Sequence, residues 1–197
     1  GAKIAAENNV DFYIAIGGGG VIDTAKCIAI MQTNPGKLLD YVLGVGKPIP
    51  NACPPLIAVP TTSGTGSEAT ALSIVTDSAA HRKVCIKDID KMCPYACYLD
   101  PELMTGLPKG LTASTGMDAL SHAVEAYMVG KHNEYADMFC ENCIRRVVKW
   151  LPVAVADGTN LEARGQMMLA ANFGGASFAS STLQALSLIH ISEPTRQ

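Results

Sequence analysis

Charge and aromatic side chains are both scarce in this 197-residue sequence, at 17% and 6% of residues. The formal net charge of −3 argues against nucleic acid or an anionic membrane surface as the main partner. No apolar run reaches the length of about 20 residues that a bilayer-spanning helix needs. The first ten residues show none of the charged start, apolar centre and small-residue cleavage site of a secretory leader. They also lack an initiator methionine, so the start at Gly1 reads as an internal cut. Internal repeats and low-complexity stretches are missing as well. The expectation is a globular, cytoplasmic chain, 48% hydrophobic and long enough for one large domain or two small ones.

Seven cysteines are present, at 27, 53, 85, 93, 97, 140 and 143. An odd number without a leader suits reduced thiols better than a disulfide framework. Cys93 with Cys97, and Cys140 with Cys143, are the spacings that raise the question of zinc. A site built from all four would need two distant segments to meet, and little else in the spacing supports it. Buried free cysteines are the expectation.

The chain changes character once. Residues 1–9 read as the end of a helix, residues 12–16 as a short apolar strand, and residues 23–31 as a helix. "PLIAVP" at 55–60 is a second strand bounded by prolines. "ALSIVTD", "KVCIKD" and "PYACYLDPE" have strand character, and the Gly- and Pro-containing stretch 34–51 reads as a surface connection. From Leu111 onward only helical patterns follow: "TASTGMDALSHAVEAYMV", "ADMFCENCIRRVVKWLPVAVAD" and "LEARGQMMLAANFGGASF". The fold class is therefore α/β followed by all-α.

Three local patterns carry chemistry. The first is "IGGGGVIDTAK", where four glycines lie between an apolar strand and a helix read as beginning near Val21. Free backbone N–H groups and the positive end of a helix dipole meet at such a corner, and a pyrophosphate fits there. Neither the strict dinucleotide fingerprint nor the P-loop is matched, because position 22 is Ile and Lys26 is not flanked as the P-loop requires. A tight structural turn is the competing account. The second is "TTSGTGSEAT", whose hydroxyls and glycines after a strand suit ribose and phosphate oxygens. A hairpin turn with locally satisfied Ser and Thr would look similar. In the third, "GMDALSHAVEAY" spaces Asp118 and His122 four apart, on one face of a helix. That pair can share a divalent metal, or be an ordinary surface contact. Glu125 one turn on suits support of the helix, and His81 and His132 lie in polar turns and suit solvated positions.

With these three patterns in this order, together with "DPELMTGLPKGLTASTGMDALSHAVEAY", residues 1–185 resemble the iron-containing (group III) alcohol dehydrogenases. The resemblance implies a dehydroquinate synthase-like architecture, with a partial dinucleotide-binding α/β domain over 1–104 and a truncated helical metal-binding domain over 105–185. It implies hydride transfer between NAD(H) or NADP(H) and a primary alcohol, diol or aldehyde at Fe²⁺, sometimes Zn²⁺, in a parent that is a homo-oligomer. Gly19 and Gly20 then fall where the family's glycine loop holds the pyrophosphate, so that a side chain at Gly19 would enter that space. The family's serine is replaced here by Gly20. Thr61, Thr62 and Thr65 match its hydroxyl-bearing cofactor loop, and Lys83 falls near its cofactor-contacting lysine, within one residue. Leu103 and Gly106 match positions lining the cofactor groove, while Asp118 and His122 match the first two metal ligands.

Family members are much longer than this chain. Their first strands, including the residue that separates NAD from NADP, are missing here, as are two further histidine ligands. The next of those is due near Ser187. There the sequence departs from the family, and residues 186–197, "LSLIHISEPTRQ", resemble a translated sequencing adaptor, so His190 is not counted as a ligand. A non-catalytic nucleotide-binding or assembly module is the alternative reading, although a module that had lost its chemistry is expected to have lost Asp118 or His122. A glycerol dehydrogenase-like relative shares the architecture, but "GMDALSHAVEAY" fits the alcohol dehydrogenase branch better.

Overall fold

Strand β1 (Tyr13–Gly17) and strand β2 (Leu56–Pro60) run parallel and in register from Tyr13–Leu56 to Gly17–Pro60. This pairing organises the first half of the computed structural model, which describes residues 1–128 and 133–180. Helix α1 (Ala2–Glu7) precedes β1, and helix α2 (Gly19–Thr33) makes the crossover to β2. Parallel strands need such a crossover, so helix and sheet are obliged to pack together. Ile22 and Ile30 of α2 are fully buried, as is Ala58 of β2. A hairpin of β3 (Leu72–Asp77) and β4 (Arg82–Lys87) forms a separate antiparallel pair, and β5 (Ala96–Cys97) adds a third strand beside β2.

Three helices complete the chain: α3 (Lys109–Met128), α4 (Glu134–Ala156) and α5 (Leu161–Ser180). The Asn133 side chain caps α4 by accepting from the Tyr135 N–H at 3.0 Å, with Glu134 and Asp137 in the first turn favouring the helix dipole. Small side chains, among them Ala119, Ala123, Ala163, Ala170 and Ala171, let the three helices approach closely around Val147 and Met167. Arg164 is buried at their base, donating to Thr112 Oγ1 at 2.7 Å and to the Gly158 carbonyl at 2.9 Å. The architecture is thus α/β, then all-α. No helix among the described residues is long and apolar enough to cross a membrane.

Several local expectations need correction. Helix α2 begins at Gly19 rather than near Val21, which makes two of the four glycines part of its first turn. The stretch 34–51 is more than a surface connection. Tyr41 and Ile49 enter a core cluster with Ile30, Ile86 and Met92, and a single 3-10 turn (Leu38–Tyr41) carries the tyrosine inward. Of "PYACYLDPE" only Ala96 and Cys97 pair as strand. The cysteines also divide: Cys27, Cys85, Cys140 and Cys143 are buried, whereas Cys93 and Cys97 are exposed. Among the described residues no three His, Cys, Asp or Glu side chains are grouped closely enough to hold a metal ion. His132 and residues 186–197 lie outside the described residues.

Burial raises the Cys85 thiol to about 11 and the Cys143 thiol to about 12, against an ordinary 9.0. A raised folded-state value means that the neutral thiol contributes stability fully below pH 9.0 and loses it as pH rises toward about 11 and about 12. Iodoacetamide at pH 8 followed by peptide mass mapping should therefore label Cys93 and Cys97 rapidly and leave Cys140 and Cys143 unlabelled until the chain is unfolded. Equal labelling of all four would contradict this burial pattern.

Candidate cofactor and metal site

Because β1 and β2 are parallel neighbours, the turns that follow them emerge at the same edge of the sheet. The Thr61 N–H donates to the Gly17 carbonyl at 3.0 Å, tying the start of the hydroxyl-rich segment 61–70 to the glycine corner. A Cβ at Gly18 would lie 3.3 Å from Thr62 Oγ1, and one at Gly19 only 2.5 Å from Thr65 Oγ1. Glycine at 19 is therefore a packing requirement of the threonine loop. A side chain there would enter that loop and not the open space expected for a pyrophosphate. Gly20 is the residue that faces open space. The first bonds of α2 run from the Val21 and Ile22 N–H groups to the Gly18 carbonyl at 3.0 and 3.2 Å. The Gly19 and Gly20 amides stand ahead of that ladder, where a helix presents its unsatisfied donors.

The same segment reaches the helical half. Gly64 lies so close to α3 that a Cβ would fall 2.9 Å from both the Thr115 carbonyl and its Cβ. Gly66 has φ +62°, and its backbone touches Gly175 and the Ala171 carbonyl of α5. Both the left-handed conformation and this close approach exclude a side chain. Ser63 Oγ donates to Met104 Sδ at 2.8 Å, holding the 3-10 turn Pro101–Met104 beside the loop. Leu103, in that turn, is exposed, and Gly106, two residues after the turn, lies in open space. Lys83 is exposed on β4 opposite Thr76, and among the described residues no hydrogen bond or ion pair joins it to either loop.

Asp118 and His122 follow Thr115 on α3. Their side chains meet with His122 Nε2 3.6 Å from Asp118 Oδ1, and both are partly accessible, at 12% for the histidine and 28% for the aspartate. Phe178 of α5 stacks beside the imidazole with ring centroids 6.0 Å apart. One carboxylate oxygen and one imidazole nitrogen on the same helix face suit Fe²⁺ or Zn²⁺ in donor type, and they supply two positions of a coordination shell. His81 is exposed in the β3–β4 turn with φ +48°.

Two buried groups beneath the loop were not singled out from the sequence. Lys26 of α2 is 2% exposed, and its ammonium donates to the carbonyls of Ser67, Thr70 and Leu72 at 2.7, 2.8 and 2.8 Å. Burial draws it down to about 8. Asp23, one turn earlier, accepts from Ser67 Oγ and from the Ile74 N–H at 2.9 Å, and burial raises its carboxyl. The signal was the acid–base pair at i,i+3 on an otherwise apolar helix, since charges are rarely buried unless paired. Glu68, also buried, accepts from Asn172 Nδ2 of α5 at 3.4 Å, and burial raises its carboxyl too.

The profile of the family "Iron-containing alcohol dehydrogenase" matches residues 1–101, and that of "Fe-containing alcohol dehydrogenase family, C-terminal" matches residues 112–190. This chain belongs to the iron-containing alcohol dehydrogenase family. The second match runs past Ala185, the last residue expected to be family-like. The NAD-dependent methanol dehydrogenase of Bacillus methanolicus is 41% identical over 192 residues, covering 96% of this chain and 48% of that protein. Alcohol dehydrogenase 4 of Schizosaccharomyces pombe is 45% identical over 183 residues, covering 93% of this chain and 43% of the relative. Among solved structures, sulfoacetaldehyde reductase from Bifidobacterium kashiwanohense in complex with NAD+ superposes with a TM-score of 0.85 at 38% identity. That superposition covers 90% of this chain and 47% of the other. The chain spans about half the length of the curated relatives it matches.

The close approach at Gly66 generates a paired expectation. Gly66→Ala should lower stability by at least about 1–2 kcal/mol from the left-handed backbone alone. Gly20→Ala, in open space on a helix, should leave it within about 1 kcal/mol of the parent. Urea unfolding of the two variants measures both, and equal midpoints would contradict the packing described.

Proposed function

We propose that the protein containing this chain transfers a hydride between NAD(H) or NADP(H) and a small primary alcohol, diol or aldehyde, with a divalent iron or zinc ion at Asp118 and His122. The observation that carries the proposal is the double attachment of segment 61–70. Its threonines pack on the start of α2, and its Gly64 packs on α3 one turn before Asp118. A phosphate-binding corner and a metal-binding helix face are thereby joined through one loop. On this reading residues 1–104 bind the dinucleotide and residues 105–185 the metal. The small-alcohol class is supported by the relatives, which include a methanol dehydrogenase and the 1,3-propanediol dehydrogenase of Citrobacter freundii.

Polarisation of the substrate oxygen and exchange of the hydride are the chemistry that the metal and the nicotinamide supply when bound. The chain's own residues bind and orient. Amides of Gly19 and Gly20 at the helix start would donate to the pyrophosphate oxygens, and the open space at Gly20 would admit them. Hydroxyls of Thr61, Thr62 and Thr65 would bond sugar and phosphate oxygens, and Leu103 and Gly106 would line the cofactor groove, as the family resemblance implies. Lys83, exposed on its separate hairpin, is assigned to the cofactor by the family resemblance alone. Asp118 Oδ1 and His122 Nε2 would hold the metal, with Phe178 stacked beside the imidazole.

Two protein donors hold a divalent ion weakly, since catalytic sites of this kind use at least three. The 197-residue chain alone should therefore show no NADH oxidation with a short aldehyde under anaerobic Fe²⁺ loading, while a full-length relative carrying this segment should turn over. In that full-length protein His122→Ala should abolish both metal retention and turnover. Gly20→Asp should not lower the melting temperature, because an acid is favourable in a helix's first turn. It should nevertheless weaken NAD(H) binding about tenfold or more by occupying the anion position. Fluorescence titration of the nicotinamide reads this directly, and unchanged affinity would remove the glycine corner from the cofactor site.

A further inference from the structure

We propose that Arg164 is a positioning residue for cofactor binding, because it clamps together the two surfaces on which the hydroxyl-rich segment 61–70 is seated. The inference rests on the function proposed above and assigns part of the work to a side chain of the helical half that touches no ligand in that reading.

Arg164 is 2% exposed and lies in the first turn of α5, where the helix dipole opposes a cation. What holds it there is a set of neutral acceptors. Its Nη1 donates to Thr112 Oγ1 at 2.7 Å, its Nη2 to the Leu107 carbonyl at 3.2 Å and its Nε to the Gly158 carbonyl at 2.9 Å. The exposed Asp157 carboxylate adds a favourable charge. A planar guanidinium serves three separate segments at fixed angles, which a lysine ammonium on its flexible stem does not. Those segments are the α4–α5 connection, the link between the two halves of the chain and the first turn of α3.

Two of the three lead to the hydroxyl segment. The Leu107 N–H donates to the Met104 carbonyl at 3.1 Å, and Met104 Sδ accepts from Ser63 Oγ. Thr112 lies less than one turn before Thr115, whose backbone and Cβ meet Gly64. Ser63 and Gly64, consecutive residues between Thr62 and Thr65, therefore rest on the 3-10 turn Pro101–Met104 and on α3 respectively. Gly165, next to Arg164, faces the same 3-10 turn, where a Cβ would lie 3.9 Å from the Pro101 ring. Arg164 bonds to both supports at once. Without it the turn and α3 are free to shift against each other, and Thr62 and Thr65, which pack on Gly18 and Gly19, shift with them.

Full-length protein distinguishes this from a role in stability alone, because nicotinamide fluorescence reads NAD(H) affinity without metal or turnover. Arg164→Met, which removes every donor, should raise Kd for NAD(H) about tenfold or more, as small misplacements of binding groups do. In the metal-loaded enzyme KM for NAD(H) should rise in parallel, with kcat at saturating cofactor within about threefold of the parent. Arg164→Lys, which keeps the charge and loses the fork, should fall between. Val147→Ala, which opens a cavity in the helical core, should lower the melting temperature and leave Kd at the parent value. A parent-like Kd in Arg164→Met overturns the inference and leaves the proposed function standing, and so does an equal rise in Kd in Val147→Ala. Should Arg164→Met not fold, Arg164→Lys decides: a Kd raised about threefold or more supports the inference, and a smaller change overturns it. Failure of the unmodified full-length protein to bind NAD(H) overturns both.

Discussion

The buried ammonium of Lys26 is the interaction on which the first half of this chain depends. A cation removed from water is tolerable only where acceptors replace its hydration shell, and here three main-chain carbonyls and a nearby carboxylate do so. The requirement works in both directions. The carbonyls of Ser67, Thr70 and Leu72 in turn gain a charged donor, and the first of them also accepts from the Thr70 N–H at 3.3 Å. Helix α2, the 3-10 turn and the first residues of β3 are consequently held by one group. Burial draws the amine down to about 8, the direction expected of a cation held away from water.

Close backbone approach is the complementary constraint. Gly66 against Gly175, and Gly64 against Thr115, bring main chain to within a distance that no side chain would permit. Alanine and glycine positions on α3 and α5 serve the same end inside the bundle, where Ala119 and Gly174 flank Cys143 and its thiol donates to the Ala119 carbonyl at 3.3 Å. Polar anchoring from one side and steric permission from the other leave the hydroxyl segment little freedom. The threonines are thereby presented beside the glycine corner, while Asp118 and His122 are carried past the far end of the loop on a straight helix.

The family relationship gives these constraints a common purpose across proteins that act on different small alcohols and aldehydes. The sulfoacetaldehyde reductase structure and this chain share the frame at a TM-score of 0.85 although only 38% of aligned residues are identical. Constraints that act on backbone placement are compatible with that divergence of side chains. A buried lysine that bonds to carbonyls, and glycines that exclude side chains, act on backbone and are indifferent to the alcohol bound.

Local order determined much that the sequence alone could reveal. Apolar runs of strand length, the change to helical spacing after Leu111 and the i,i+4 spacing of Asp118 and His122 are all short-range patterns, and period and punctuation encode them directly. The glycine cluster likewise announced a corner where something must come close. Tertiary structure decided which glycine serves which purpose, because only the folded partner of a residue shows whether a Cβ would meet Thr65, as at Gly19, or open space, as at Gly20. It decided that Tyr41 and Ile49, in a stretch with no regular periodicity, belong to a core. Above all it decided the role of Lys26. Its partners lie 41 to 46 residues away along the chain, and the worth of a buried charge is set by acceptors that only long-range packing brings to it.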